Sequence, residues 1–227
     1  MITAVYLIIS GLANMATGDI LLIAGLIIAA YLLGSIPSAV WVGKRFYGID
    51  VREHGSRNAG ATNTMRVLGK KAALPVFAID VAKGYAAVSL AYAAGYAAGS
   101  PELYNLKFAL VGAAVLGHIF PIFAGFRGGK GVATLAGAVL GVYPPAVLLC
   151  LATFLVVFVI THYVSLSSMI AGIMLPIYTA FVFGNTYPPL IIFCCAVSVL
   201  LIFTHRKNIG RLLKGTENKT YFRKKDK

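Results

Sequence analysis

The chain has 227 residues, 59% of them hydrophobic and only 12% charged, with a mean hydropathy of +0.84 and a formal net charge of +13. A globule of this size cannot hide so much apolar surface from water, so the composition excludes a soluble protein and makes the bilayer part of the solvent. Cys150, Cys194 and Cys195 all fall inside apolar stretches, in odd number and without metal-ligand spacing, and read as buried thiols.

A spanning helix needs about 20 mostly apolar residues. Gly, Pro and charge clusters cut this chain into seven such pieces, which predicts an all-α, polytopic fold with seven transmembrane helices. Residues 1–19 form an N-terminal extension without the basic start of a signal peptide. They either lengthen the first helix or precede a start at Met15. Residues 20–227 form one membrane domain. Its expected spans are Ile20 to Val42, Ala72 to Ala98, Leu106 to Phe126, Val132 to Tyr143, Ala146 to Ile160, Ser168 to Phe183, and Pro188 to Phe203 continuing past His205. The fourth is too short to cross alone; either it starts within "GGKG" or it is a half-helix ending at Pro144-Pro145.

Charge orients the bundle, because Lys and Arg collect in short cytoplasmic loops. Lys44, Arg45, Arg52, Arg57, Arg66, Lys70 and Lys71 fall in one loop, Arg127 and Lys130 in another, and further basic residues follow Thr204. The alternate turns "GSPELYN", "VYPP" and "GNTYPP" hold none. That alternation predicts an external N-terminus and a cytoplasmic C-terminus. The basic excess is thus topology, with "RKKDK" at the tail suited to anionic membrane lipids. It is not the basic face on a soluble module by which nucleic-acid binders are known, so no nucleic acid is expected.

Four stretches on the same face carry more chemistry than topology requires: "HGSRNAGATNTMR", "GHIFPIFAGFRGGKG", "HYVSLSS" and "HRKNIGRLLKGTE". In the first, Asn58 is a candidate N-cap and Gly69 a helix stop. Thr62 and Asn63 then lie one helical turn from Arg66, an arrangement suited to a tetrahedral oxyanion or, equally, to a surface helix with ordinary caps. In the second, Gly128, Gly129 and Gly131 flank Lys130; they would let the backbone approach an anion, or simply form a flexible turn. It is not a Walker A loop, which would need Gly at Ala124 and Ser or Thr at Gly131.

In the third, Ser165 or Ser168 caps a helix or holds an anion at its positive end, and His162 is interfacial. The fourth continues the last span, with His205, Asn208 and Leu212 on one stripe. A His and an Asn facing inward there are candidates for proton transfer, against a reading of interfacial snorkelling. His118 reads as structural. Asp80 and Lys83, three apart inside a span, either neutralise one another or line the floor of the site.

Taken together, "GSRNAGATN" with Arg66, "GHIFP…FRGGKGVAT" and "HRKNIGRLLKGTE", in this order, resemble the motifs of the bacterial membrane-integral acyl-phosphate:glycerol-3-phosphate acyltransferases. The resemblance runs from about Ala30 to Glu217 and includes "AYLLGSIPSA" and the Asp80 to Gly84 segment. It implies acyl transfer from a fatty acyl phosphate to glycerol 3-phosphate, giving 1-acyl-glycerol 3-phosphate and inorganic phosphate, at the cytoplasmic face of the bacterial inner membrane. A mixed anhydride is already activated, so no cofactor and no metal are implied.

Carried over position by position, Ser56, Arg66, Lys130, Ser168, His205 and Asn208 occupy the catalytic positions. Asn58, Thr62, Asn63, Gly128, Gly129 and Gly131 occupy the phosphate-binding ones, and Glu217 braces the tail. Arg57 departs from the pattern, which has a small residue there, commonly Gly. Two rivals fare less well. A thioester-dependent acyltransferase would carry His-x-x-x-x-Asp, whereas Ala59, Phe123, Ser167 and Gly210 stand five beyond the four histidines. An organic-phosphate transporter would place its polar chemistry at the bilayer midplane.

Overall fold

A computed structural model describes residues 17–221, and among these the chain is helical without strands. Ten α-helices follow one another: α1 (Thr17–Gly34), α2 (Ser38–Tyr47), α3 (Ala61–Leu68), α4 (Lys70–Ser89), α5 (Pro101–Ile119), α6 (Val132–Leu140), α7 (Pro144–Thr161), α8 (Val164–Ile177), α9 (Pro188–Thr204) and α10 (Arg206–Leu213). Of the N-terminal extension, residues 1–16 lie outside the described residues and Thr17 to Asp19 open α1.

Among the described residues, five segments are long and apolar enough to cross a membrane: Thr17–Tyr47, Lys70–Ala94, Pro101–Ala124, Pro144–Thr161 and Val164–Val182. α9 and α10 make a sixth if counted together, although the chain bends by 60° between them, so α10 is not the straight continuation that the sequence implied. The expected fourth span is the nine-residue α6. At 1.5 Å per residue it reaches less than half of a hydrocarbon core of about 30 Å. Gly131 fixes its start in a left-handed conformation, so the helix does not begin within "GGKG".

Helices pack through small residues. Where α4 crosses α6, a Cβ on Gly84 would strike the Thr134 carbonyl and one on Gly137 would strike that of Val81. Close backbone approach of this kind substitutes for a hydrophobic driving force that is absent between helices in lipid. Large side chains such as Leu21, Leu148, Ile160, Phe181 and Ile192 point outward, as a lipid-facing surface requires. Cys195 belongs to that outer surface, which corrects its reading as a buried thiol: it lies one residue, about 100° of helix, from buried Cys194.

Pro37 splits the first span. It has no N–H to continue the ladder, which leaves backbone groups of the preceding turn without helical partners. Lys83 repairs the break by donating to the Ile36 carbonyl at 2.7 Å, and it pairs with Asp80 at 2.7 Å. Asp80 also accepts from the Ser38 hydroxyl at 2.8 Å. The intramembrane pair is therefore consumed in joining α4 to the α1–α2 break. His118 extends the same buried group, with Nδ1 3.0 Å from the Thr134 hydroxyl and 3.7 Å from Asp80.

Candidate active site

The four polar stretches converge at one end of the bundle. α3 starts at Gly60 in an extended conformation; Gly60 is its N-cap, not Asn58, and no side chain caps it. Gly69 ends it as expected, its N–H donating to the Met65 carbonyl. Buried Asn63 faces back into the preceding loop. Its side-chain oxygen accepts from the Ser56 N–H (2.8 Å) and hydroxyl (3.0 Å), and its NH₂ donates to the carbonyls of Val51 (2.8 Å) and His54 (3.2 Å). Every polar arm of Asn63 is thus spent on shaping the loop that presents exposed Ser56. Thr62 is half-buried on the first turn of α3.

Arg66, at the other end of α3, reaches the segment that follows α10. Its Nη2 donates to the Asn218 carbonyl and to the Thr220 hydroxyl, each at 3.3 Å. Its Nε is buried without a partner. Burial pulls the guanidinium below its ordinary range, countered by Glu217 and reinforced by Arg211.

The Gly-rich turn brings Lys130 to the same place. The N–H groups of Gly128 and Gly129 donate to the carbonyls of Ile119 and His118, both at 3.1 Å. A Cβ on Gly129 would meet the His118 ring, and one on Gly128 the His118 carbonyl. These two glycines therefore pack the turn onto the end of α5 and do not present free N–H groups. Gly131, with φ of +79°, redirects the chain into α6. Lys130 Nζ donates to the Asn208 side-chain oxygen. Burial lowers its pKa to about 8, with Glu217 opposing and Arg211 and Arg66 adding to the shift.

Asn208 hands the connection on, because its NH₂ donates to Glu217 at 2.6 Å. Ser165 donates to the same Glu217 oxygen at 2.8 Å and Arg211 to the other at 2.6 Å. Desolvation raises the Glu217 pKa, but these three hydrogen bonds together with the Arg211 charge outweigh it and hold the carboxyl below its usual range. Glu217 thus braces the tail, as the resemblance implied, and ties α8 to α10. The serines of α8 do not cap the helix: Ser165 serves Glu217, while Ser168 donates back to the Val164 carbonyl at 2.8 Å.

His205 is buried at the α9–α10 bend, its Nδ1 2.8 Å from the Leu201 carbonyl. A carbonyl can only accept, so the proton sits on Nδ1 and Nε2 keeps the basic lone pair. A main-chain oxygen one turn earlier thus orients the ring.

Other partners were not legible. Asn218 and Thr220 lie beyond the last motif, and Arg211, though inside it, was not singled out. Arg52 was legible only as one of the basic residues of its loop, and Asp50 carried no signal. Among the described residues no group of three or more His, Cys, Asp or Glu could hold a metal ion. The arrangement brings together Arg66 from α3, Lys130 from the Gly-rich turn, the Asn208 amide and the oriented His205 imidazole, which can hold an anion and accept a proton beside it.

Comparison with known proteins agrees with this chemistry. The sequence model of the glycerol-3-phosphate acyltransferases matches residues 24–215. Glycerol-3-phosphate acyltransferase 3 of Bacillus anthracis is 49% identical over 203 residues, covering 89% of this chain and 97% of the relative. The glycerol-3-phosphate acyltransferase of Chlorobaculum tepidum is 42% identical over 226 residues, covering 88% and 97%. The crystal structure of PlsY (YgiH), an integral membrane glycerol 3-phosphate acyltransferase in its glycerol 3-phosphate form, matches with a TM-score of 0.77 at 39% identity, over 88% of this chain and 96% of that one. Its lysophosphatidic acid form matches at 0.74 and 38% identity. This multi-pass membrane chain belongs to the glycerol-3-phosphate acyltransferase family.

Proposed function

We propose that this protein transfers a fatty acyl group from acyl phosphate to the sn-1 hydroxyl of glycerol 3-phosphate, at the cytoplasmic face of the bacterial inner membrane. The observation that carries the reading is the pairing of Arg66, whose buried Nε has no partner, with Lys130, held by Asn208 and Glu217. An unspent guanidinium donor beside a partly desolvated ammonium is an anion site, and both substrates are phosphates. The lysophosphatidic acid form of the PlsY relative supports the product. The absence of His-x-x-x-x-Asp supports the phosphate over the thioester donor. The seven-span topology with the N-terminus outside rests on the alternation of basic loops.

In this reading Arg66, Lys130 and Ser56 hold phosphate groups, with Thr62 at their edge. Asn63 and Asn58 shape the Ser56 loop, and Gly128, Gly129 and Gly131 hold Lys130 in place. Asn208 fixes the ammonium, and Ser168 lines the site beside His205. The hydroxyl oxygen of glycerol 3-phosphate attacks the acyl carbonyl carbon, its proton passing to His205 Nε2 or to a substrate phosphate oxygen. The bond from that carbon to the phosphate oxygen then breaks, and Lys130 stabilises the departing phosphate. Donors already in place where charge develops supply much of the rate.

The test uses purified protein with glycerol 3-phosphate and palmitoyl phosphate, following phosphate release and lysophosphatidate, with palmitoyl-CoA as the parallel donor. Equal amounts of both products, absent with the thioester, are expected. Equal use of the thioester would overturn the donor assignment.

A further inference from the structure

Arg66 lies on α3, behind the loop that carries Ser56, and Lys130 lies on the Gly-rich turn before α6. Arg52 ties that loop to that turn. Its Nε donates to both Asp50 oxygens (3.0 and 3.2 Å) and its Nη2 to Oδ2 at 2.7 Å. The remaining arm crosses to the other loop: Nη1 donates to the Ala124 carbonyl at 2.7 Å and to the Arg127 carbonyl at 3.2 Å. Asp50 also accepts the Arg52 N–H at 3.0 Å, so one carboxylate fixes both the backbone and the side chain of this residue. Both side chains are mostly covered, at 14% and 9% exposure, so water competes little for these bonds.

The two carbonyls bracket a turn that is costly to maintain. Gly125 and Phe126 both have positive φ, +62° and +59°, and the second is not a glycine. Beyond Arg127 the chain passes through Gly128 and Gly129 to Lys130. On the other side, Arg52 is followed within a few residues by Ser56 and the Asn63-braced loop. Only a planar fork can hold a carboxylate with one edge and two carbonyls with the other; an ammonium has no such geometry.

We propose that Arg52 is a positioning residue that sets the spacing between the Arg66 half and the Lys130 half of the phosphate site, by clamping the 124–127 turn to the loop that precedes α3. The proposal rests on the phosphate-binding reading above. A misplacement of about 1 Å at such a site costs on the order of 10²-fold in rate.

The test has two arms. In the first, Arg52→Ala and Arg52→Lys are assayed for turnover with and without methylguanidinium. Both are expected to lose about 10- to 100-fold in kcat, with methylguanidinium restoring Arg52→Ala several-fold and Lys130→Ala not at all. The second arm needs no activity. Spin labels at Arg57→Cys and Arg127→Cys, in a protein with its native cysteines replaced by serine, should give a narrow distance distribution that broadens in both Arg52 variants and narrows again with methylguanidinium in Arg52→Ala. A folded Arg52→Lys within twofold of the parent in turnover and equally narrow in distance would overturn the proposal. If the parent shows no acyl-phosphate-dependent activity, the functional reading fails and the distance arm alone decides the clamp.

Discussion

The two ends of the bundle treat positive charge in opposite ways. At the site end, Arg66 keeps a buried Nε donor without a partner and Lys130 donates to the Asn208 side chain. At the far end, Lys107 on α5 is the more deeply buried and donates to the Tyr92 hydroxyl at 2.9 Å and the Gly141 carbonyl at 3.0 Å, with its ammonium 4.6 Å from the Tyr92 ring centre. Aromatic pairs join the helix ends on the same side, Tyr104 with Tyr187 and Tyr143 with Phe183, each at 5.9 Å. A cation that has spent its donors holds a fold together; one with donors in reserve waits for a ligand.

Removing the reserved donors should show the contrast most strongly. Arg66→Ala and Lys130→Ala are expected to stay folded while losing roughly 10²-fold or more in turnover, the scale of deleting a transition-state donor. Steady-state kinetics beside a thermal melt checks this; near-parental turnover in both would dissolve the distinction between the ends. Lys107→Met should do the reverse. It strands the Gly141 carbonyl at a cost of about 1–3 kcal/mol, lowering the melting midpoint in detergent while turnover per folded molecule stays near that of the parent.

A gentler probe is pH. The Lys130 ammonium loses its proton near pH 8, and the charged form is the one that attracts phosphate, so kcat/KM should fall as pH rises through about 8. Lys130→Arg should lack that alkaline limb. An unchanged limb in that variant would assign it to another group. The smallest effect is expected at Arg57, which has φ of +58°. Arg57→Gly removes a left-handed penalty of about 1 kcal/mol, so the midpoint should rise slightly; a fall would mean that the side chain contributes contacts worth more than the strain.

Arg57 also shows what the sequence could and could not reveal. Its departure from the family's usual Gly was legible as an added charge, but the backbone conformation that explains the Gly needed coordinates. Hydropathy located each apolar segment to within a few residues, because a solvent of fixed thickness imposes both composition and length. It gave no depth for the nine-residue α6, too short to cross the hydrocarbon core unaided, since composition carries no information on depth. Motifs named the residues that hold the site together but not their division of labour. Asn63 and Arg66 looked alike as polar residues near a phosphate, and only hydrogen bonds showed that one is spent and the other is not. The Arg52 clamp and the Arg66 contact with Thr220 join residues 72 and 154 positions apart or nearly so, beyond any local pattern.

The buried ion pairs also bear on how the chain enters the bilayer. Asp80 and Lys83 lie on one helix, three apart, and leave water already neutralised by each other. α4 therefore brings its own counter-ion to the translocon and can partition as a single unit. Lys107 has no such companion on α5. One acceptor, Tyr92, precedes the helix, but the other, the Gly141 carbonyl, comes beside Lys107 only when α6 has been synthesised and has folded back against α4 and α5. Biogenesis should accordingly pass through a stage in which the α4 hairpin is settled and α5 is not, with the emergence of Gly141 from the ribosome as the step that commits the bundle.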